Sequence, residues 1–273
     1  MVEYDFGGQV AFVTGAAHGQ GRSHAKMYAE HGADVVAMDI AENLDTVPYD
    51  MGTDTELEET MEMVEAEGQE ALAVTGDVSV EADVEAAVGE AIEHFGHIDI
   101  LANNAGIGTF SELVELDEAS WDEMLDINLK GVWLCSKHVG QHFVERGSGG
   151  KIVSTSSIYG KVAGPGSGHY IAAKHGVLGL TKTLALELAE YDVNVNAICP
   201  TGVDTPMVEG VLEAYGEEVL EQATAMTGPW NVFEEGAMIE DRDISEAYMW
   251  LSSDAARYVT GIGLPVDAGM LAK

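Results

Sequence analysis

Val10-Ala-Phe-Val-Thr14 runs directly into Gly15-Ala-Ala-His18-Gly19-Gln20-Gly21, and an amphipathic stretch then continues to His31-Gly32. A buried parallel strand entering a glycine turn and a helix start is a place where backbone N–H groups and the helix dipole hold a diphosphate. The glycines let the chain turn tightly and approach the phosphates closely. An ordinary tight strand-to-helix turn is the competing reading. The next apolar run, Asp34-Val-Val-Ala-Met38, ends at Asp39, about where an acid meets the adenosine ribose of a bound dinucleotide. A carboxylate there accepts from a 2′-hydroxyl and repels a 2′-phosphate. The expected cofactor is therefore NAD(H), not NADP(H).

Outward from this unit the pattern repeats. Apolar strand candidates recur at Val10–Thr14, Asp34–Met38, Ala71–Thr75, Ile98–Ala102, Lys151–Thr155, Val193–Ile198 and Gly261–Pro265. Helical spacing separates most of them. One helix carries Leu57, Met61 and Val64 and is opened by a Thr55/Glu58 capping box; others run about Val80–Phe95, Glu118–Glu145 and Tyr170–Tyr191. Alternation of this kind predicts an α/β fold: a doubly wound, Rossmann-type parallel sheet of about seven strands, covered on both faces, in a single domain over residues 1–273. Residues 1–150 form its cofactor half and 151–273 its catalytic and substrate half. Ligands are expected at the carboxyl ends of the strands. Loop-borne functional positions such as Asn103 and Ser157 fit that geometry.

Proton-handling chemistry is concentrated around Tyr170-Ile-Ala-Ala-Lys174. Residues four apart lie one above the other on a helix, so the Lys174 ammonium can sit beside the Tyr170 phenol. A phenol loses its proton near pH ~10, and a neighbouring positive charge lowers that value. Tyr170 is thus a candidate general base. Ser157, following the strand Lys151–Thr155, can hydrogen-bond the oxygen of an alcohol or carbonyl held against Tyr170. Taken alone, Tyr-x-x-x-Lys also reads as a solvated pair on an ordinary helix.

Other classes of function find little support. No repeat, low-complexity linker or apolar run of the ~20 residues a membrane span needs is present, and Met1-Val-Glu-Tyr-Asp5 does not resemble a signal peptide. Cys135 and Cys199 form neither a disulfide framework nor a metal set, and read as buried packing residues. Of the histidines only His138 and His142 sit at i, i+4, so no metal is expected. The formal net charge is −36, with 12 Lys plus Arg against 48 Asp plus Glu. Such a surface repels nucleic acids and anionic membranes. At molar salt the screening length falls to ~3 Å, which makes the self-repulsion tolerable. The expectation is a cytoplasmic protein from a salt-rich, halophilic cell.

With these motifs in order, the chain resembles the short-chain dehydrogenase/reductase family over essentially its whole length. Thr14-Gly15-x-x-x-Gly19-x-Gly21 matches the family's cofactor loop, Asp77-Val78 its adenine-side turn, and Asn103-Asn104-Ala105-Gly106 the segment after its fourth strand. Asn128, Ser157, Tyr170 and Lys174 fall on its catalytic positions. The resemblance implies that Lys174 also bonds the nicotinamide ribose, and that Asn128 supports a water linking Lys174 to solvent; a helix-interior asparagine satisfying a carbonyl is the alternative. Cys199-Pro200-Thr201-Gly202-Val203-Asp204-Thr205 matches the segment whose Val203 backbone and Thr205 hydroxyl hold the nicotinamide carboxamide, with Pro200 beside them. Thr201 departs from the family's usual glycine.

A narrower resemblance points to the branch with carveol dehydrogenase-like and mycofactocin-associated enzymes. It is carried by Gly19-Gln20-Gly21-Arg22-Ser23-His24, by the closing Leu264-Pro-Val-Asp-Ala-Gly269, and by extra residues Ala41 to Thr53 containing Val47-Pro48-Tyr49. This implies oxidation of secondary alcohols with NAD held so tightly that an external redox partner recharges it. Over residues 206–243, which lack clear periodicity, Met207, Met226, Trp230, Phe233 and Met238 are expected to fold over a hydrophobic pocket. A cyclic or terpenoid-like secondary alcohol is the preferred substrate class. An exchangeable-NAD reductase of oxoacyl or sugar-like ketones is the second reading, and a non-catalytic nucleotide-sensing scaffold the remote one. Family members pair long helices, here Glu118–Glu145 and Tyr170–Tyr191, so a homotetramer is expected, and the tail to Lys273 extends toward a neighbouring subunit or frays.

Overall fold

The computed structural model describes residues 4–216, 231–233 and 238–272. Seven strands form one parallel sheet in the order β3-β2-β1-β4-β5-β6-β7. They are β1 (Val10–Thr14), β2 (Asp34–Asp39), β3 (Ala71–Thr75), β4 (Ile100–Asn103), β5 (Gly150–Thr155), β6 (Val193–Pro200) and β7 (Gly263–Val266). The register pairs Phe12 with Val36 on one side and with Leu101 on the other. Strand order therefore reverses between β1 and β4, opening a crevice outside their carboxyl ends. β1 is buried along its whole length because helices cover both faces of the sheet. On one face pack α1 (Gly19–Glu30), α2 (Asp54–Ala66) and a helix at Asp241–Ser252. The opposite face is covered by α3 (Glu81–Phe95), α4 (Glu118–Leu125), α5 (Val132–Arg146) and α6 (Gly168–Glu187). The parallel, seven-stranded sheet in a single domain agrees with the sequence, which left the strand order open.

Local details differ for identifiable reasons. The capping box is Thr53/Glu56, not Thr55/Glu58: Thr53 is extended, its hydroxyl accepts from the Glu56 N–H at 3.2 Å, and Glu56 accepts from the Thr53 N–H at 3.0 Å. Starting there still turns Leu57, Thr60 and Val64 inward, so burial tolerates the earlier start. Asn103 is the last residue of β4 and not loop-borne. The helix expected over Glu118–Glu145 is interrupted by a widened π turn, Asp126–Gly131, that joins α4 to α5 and brings Asn128 fully inside. At Gly131 a methyl group would meet Val78 at 2.8 Å, which leaves room for nothing larger than glycine in the turn. The last helix expected to reach Tyr191 ends as α6 at Glu187, followed by a short 3₁₀ turn, Ala189–Tyr191.

The stretch thought irregular after Pro206 opens with a regular helix, α7 (Pro206–Tyr215). Thr205 is extended at its N-cap and Pro206 supplies the preset first turn, a signal stronger than the weak apolar spacing. The helix Asp241–Ser252, hereafter α8, buries Ile244, Tyr248, Met249 and Leu251 against α1 and the sheet. Met226 and Trp230 lie outside the described residues. Cys135 and Cys199 are buried and free. Among the described residues no helix is long and apolar enough to cross a membrane.

His24 of α1 is fully buried, with Nδ1 2.7 Å from the Ser245 hydroxyl. Burial pushes its imidazole down from 6.5 to about 3, so the folded chain keeps it neutral where the unfolded chain protonates it. The stabilisation is complete above pH ~6.5 and is lost as pH falls toward the folded value. Melting curves should therefore drop more steeply between pH ~6.5 and ~4 for the native chain than for His24→Phe, which keeps a ring and cannot titrate. Parallel curves would remove His24 from the account.

Candidate active site

The glycine turn between β1 and α1 is built by close contacts that exclude side chains. A Cβ on Gly21 would lie 1.8 Å from the Gly15 carbonyl oxygen, and Gly15 itself has φ +67° with the Ala105 backbone 2.8 Å from where its Cβ would be. Thr14 ties this turn to the segment after β4, its hydroxyl accepting the N–H groups of Asn104 and Ala105, each at 3.0 Å. The cleft above is lined by Gly15, His18, Gly19 and Gln20 from the turn, and by Asn104, Ala105 and Gly106 opposite. Asp39, at the end of β2, and Asp77 and Val78, after β3, close its far end. Asp39 accepts from the Ala17 N–H at 2.9 Å and the Ala41 N–H at 3.2 Å, which fixes its carboxylate at the mouth. Gly21 supports the turn from behind and does not line the cleft.

Tyr170, Lys174, Asn128 and Thr205 complete the cleft at its other end. An adjoining cavity shares Tyr170 and Thr205 with the cleft and adds Ser157, Pro200 and Val203. The site residues singled out in the sequence line one or other of these two spaces, Gly21 behind the turn and Asn103 in the core excepted. Phe110, Ile158, Tyr159, Met207, Val208 and Val211 make the cavity apolar. Of these only Met207 was legible beforehand; the others come from separate elements and share no sequence pattern. Phe233 is 87 % exposed and is no part of the wall, and Met238 lines neither space. The Thr201 N–H donates to the Val266 carbonyl at 3.2 Å, a backbone bond that a residue larger than glycine leaves intact.

The electrostatics correct the sequence argument in sign. Lys174 does lie over Tyr170, with Nζ 5.4 Å from the ring centre. That ammonium is itself buried, donates to the Thr155 carbonyl at 3.0 Å, and is pushed down by burial to about 8. The Tyr170 phenol is pushed up to about 12, chiefly by burial, with the Ser157 hydroxyl pulling the other way and Tyr159 reinforcing the rise. In the chain by itself desolvation outweighs the cation.

Asn128 satisfies backbone carbonyls, as the alternative reading of a helix-interior asparagine expects. Its Nδ2 donates to the Ile107 carbonyl at 3.0 Å and the Met124 carbonyl at 3.3 Å, while Oδ1 is buried without a hydrogen-bond partner. Asn103, in contrast, turns inward: its Nδ2 donates to Ser136 at 3.0 Å and Ser154 at 3.2 Å, so it is a core residue and no part of the site. The His138 Nε2 faces Glu81 at 3.5 Å and the His142 Nε2 accepts from the Ile98 N–H at 3.2 Å, so each ring has its own surroundings and they do not form a pair.

A parallel sheet with a glycine-lined cleft at its switch point, ending at a half-buried tyrosine and a buried lysine beside an apolar cavity, defines a dinucleotide-binding oxidoreductase. Comparison with known proteins narrows this. The short chain dehydrogenase profile matches residues 9–216. The chain is 41 % identical over 280 residues to (−)-trans-carveol dehydrogenase of Rhodococcus erythropolis, covering 97 % of this chain and 98 % of that protein. It is 36 % identical over 260 residues to a 3-oxoacyl-[acyl-carrier-protein] reductase of Staphylococcus epidermidis, covering 95 % and 98 %. The crystal structure of carveol dehydrogenase from Mycobacterium avium in complex with NAD superposes with a TM-score of 0.91 at 39 % identity, covering 99 % of this chain and all of that one (100 %). The chain belongs to the short-chain dehydrogenase family and is an alcohol dehydrogenase/reductase type of enzyme.

Proposed function

We propose that the protein is an NAD-dependent dehydrogenase that interconverts a hydrophobic, cyclic secondary alcohol and its ketone, with Tyr170 as general acid/base. The observation that carries this reading is the position of Tyr170 on the wall common to the glycine-lined cleft and the apolar cavity. The residues fit NAD: the turn at Gly15 and Gly21 admits close backbone approach, and the Asp39 carboxylate faces the cleft where a ribose 2′-hydroxyl can donate to it. Bound NAD supplies the hydride acceptor at C4 of its nicotinamide. Ser157 holds the substrate oxygen, and Tyr170 takes the hydroxyl proton as the carbinol hydride leaves. A phenol gives up its proton more readily next to positive charge, and both Lys174 and an oxidised nicotinamide are positive. Val203 and Thr205, with Pro200, hold the carboxamide, and Asn128 Oδ1 is free to accept from a water serving Lys174. Residues 1–150 then serve the cofactor and residues 151–273 the chemistry.

The extra segment Ala41 to Thr53 supports tight retention of the cofactor and its recharging by an external, mycofactocin-type redox partner. Leu44 and Met51 from this segment line the cleft. Tyr49 crosses to the opposite wall, its hydroxyl accepting from the Gly108 N–H at 3.0 Å and its ring packed where Gly210 of α7 has no side chain. Denaturing protein that has passed gel filtration should release about one NAD per chain, and Tyr49→Phe should release much less. Protein that emerges free of NAD and turns over repeatedly with added NAD(H) and an oxoacyl ketone would instead support the second reading, an exchangeable-cofactor reductase, which the 36 % identical reductase favours.

The surface and assembly belong to the same proposal. A formal charge of −36 fits a salt-rich cytoplasm. Pairing of the α4–α5 and α6 faces into a homotetramer is supported by Trp121, Trp133 and Leu186, which stay 38 %, 42 % and 83 % exposed on those helices. Light scattering at molar salt should give four chains per particle; a monomer mass would end that part of the reading.

A further inference from the structure

The carboxyl end of β5 is fixed from beneath by a side chain that lines neither the cleft nor the cavity. Tyr248 of α8 is fully buried and places its hydroxyl 2.6 Å from Thr155 Oγ1 and 3.3 Å from the Asn103 carbonyl oxygen. Its ring is held in turn by the His24 imidazole, 4.0 Å away between ring centres, and His24 is anchored on Ser245 at 2.7 Å. Thr155 is the branch point. Its hydroxyl donates to Asn104 Oδ1 at 3.3 Å, and Asn104 Nδ2 donates to the Thr14 and Gly15 carbonyls, each at 3.3 Å. Its backbone carbonyl accepts from Lys174 Nζ at 3.0 Å.

Three contacts share two hydroxyl protons: Thr155 gives its own to Asn104 or to Tyr248, and the phenol gives its own to Thr155 or to the Asn103 carbonyl. In either order the short bond between Tyr248 and Thr155 is kept. Burial keeps that phenol protonated well above its ordinary range, which keeps its proton in the network. One hydroxyl in α8 therefore bears on both the lysine and the glycine turn.

We propose that Tyr248 is a positioning residue of the dehydrogenase: by its hydrogen bond to Thr155 it sets Lys174 against Tyr170 and holds the Gly15 turn at the cofactor diphosphate. This inference rests on the dehydrogenase reading above. Losing that bond leaves Thr155, which lines both the cleft and the cavity, free to shift its partners, whereas the apolar walls of the cavity, Phe110, Ile158 and Val211 among them, take no part in this chain of bonds.

Tyr28 provides the control. It is equally buried at the interface of α1 and α8, and its hydroxyl is 2.8 Å from Ser252, away from the site. Tyr248→Phe and Tyr28→Phe each remove one buried phenol hydroxyl. In protein loaded with NADH, the release of the nucleotide, followed by its fluorescence, should be about tenfold faster in Tyr248→Phe and unchanged in Tyr28→Phe. Alcohol turnover should show kcat lowered about tenfold in Tyr248→Phe with KM for the alcohol within about twofold, while Tyr28→Phe lowers the melting midpoint only. Thr155→Val should reproduce Tyr248→Phe, Thr155→Ser should restore it, and the double variant Tyr248→Phe/Thr155→Val should be no worse than either alone. If Tyr248→Phe does not fold, the Thr155 pair carries the test by the same readouts. Equal release rates and kcat in Tyr248→Phe and Tyr28→Phe, or Thr155→Val matching the native chain, would overturn the proposal and leave the dehydrogenase reading intact. A native chain that oxidises no alcohol at all would instead overturn that reading, and the release rates would still report on the Tyr248 contact.

Discussion

Tyr170→Phe is expected to lower kcat for alcohol oxidation by roughly 10³-fold, within the range that a positioned acid/base contributes, while leaving the fold intact. The ring stays, with its edge toward Tyr159 and Lys174 above it, and only the hydroxyl near Ser157 is lost. The pH dependence gives a second signature. Phenolate is the active form in oxidation, and burial holds the phenol up at about 12 in the chain alone, so the native rate should climb with rising pH as the acid ionises. Lys174 loses its charge as pH passes about 8, which removes support for the phenolate and bends the climb over. Tyr170→Phe should lack the climb altogether. Retention of more than about a tenth of the native kcat would exclude the assigned role.

The other large effect is on the fold itself. The chain carries 48 acidic against 12 basic residues, an excess of 36 negative charges. At ~0.2 kcal/mol of like-charge repulsion each, the excess costs about 7 kcal/mol in dilute buffer. That is comparable to the whole stability of a typical protein, about 5–15 kcal/mol. Local pairing does little to relieve it, because pairs such as Lys26 with Glu30 and Lys130 with Asp126 are exposed and weak. Raising salt from ~0.1 M to ~1 M shortens the screening length from about 10 Å to about 3 Å and suppresses most of the repulsion. Thermal melts should therefore rise by roughly 10 °C or more across that range, at 2–4 °C for each kcal/mol recovered. A midpoint that does not move would dismiss the salt-rich cell as the protein's setting.

Much of the cleft was legible because its signals are local. The glycine spacing from Gly15 to Gly21, the acid at Asp39 and the one-turn separation of Tyr170 and Lys174 are properties of a strand end, a turn and a helix face. Strand positions were legible for the same reason, since buried parallel strands are continuous apolar runs. Quantities that depend on what surrounds a residue were not. Proximity of a cation argued for an acidic phenol at Tyr170, but the depth at which both groups lie reverses the balance, and depth is set by the packing of several elements. Asn103 and Asn104 are neighbours in sequence, yet strand alternation sends the first into the core and the second to the cleft. Phe110, Tyr159 and Val211 meet at the cavity from three parts of the chain, so no window of sequence could have joined them. Tyr248 is illegible for the same reason: it acts across the sheet from α8, and nothing near it in sequence marks it.

The central claim is that a hydride leaves the alcohol carbon while Tyr170 takes the proton, and isotope transfer reads it directly. A cyclic secondary alcohol carrying deuterium at its carbinol carbon, mixed at molar salt with the NAD-loaded chain for a single turnover, should leave deuterium on C4 of the reduced nicotinamide, with none appearing in Tyr170→Phe over the same time. Native protein that leaves the nicotinamide free of deuterium across a panel of such alcohols, or a Tyr170→Phe variant that transfers it as fast, would contradict the account.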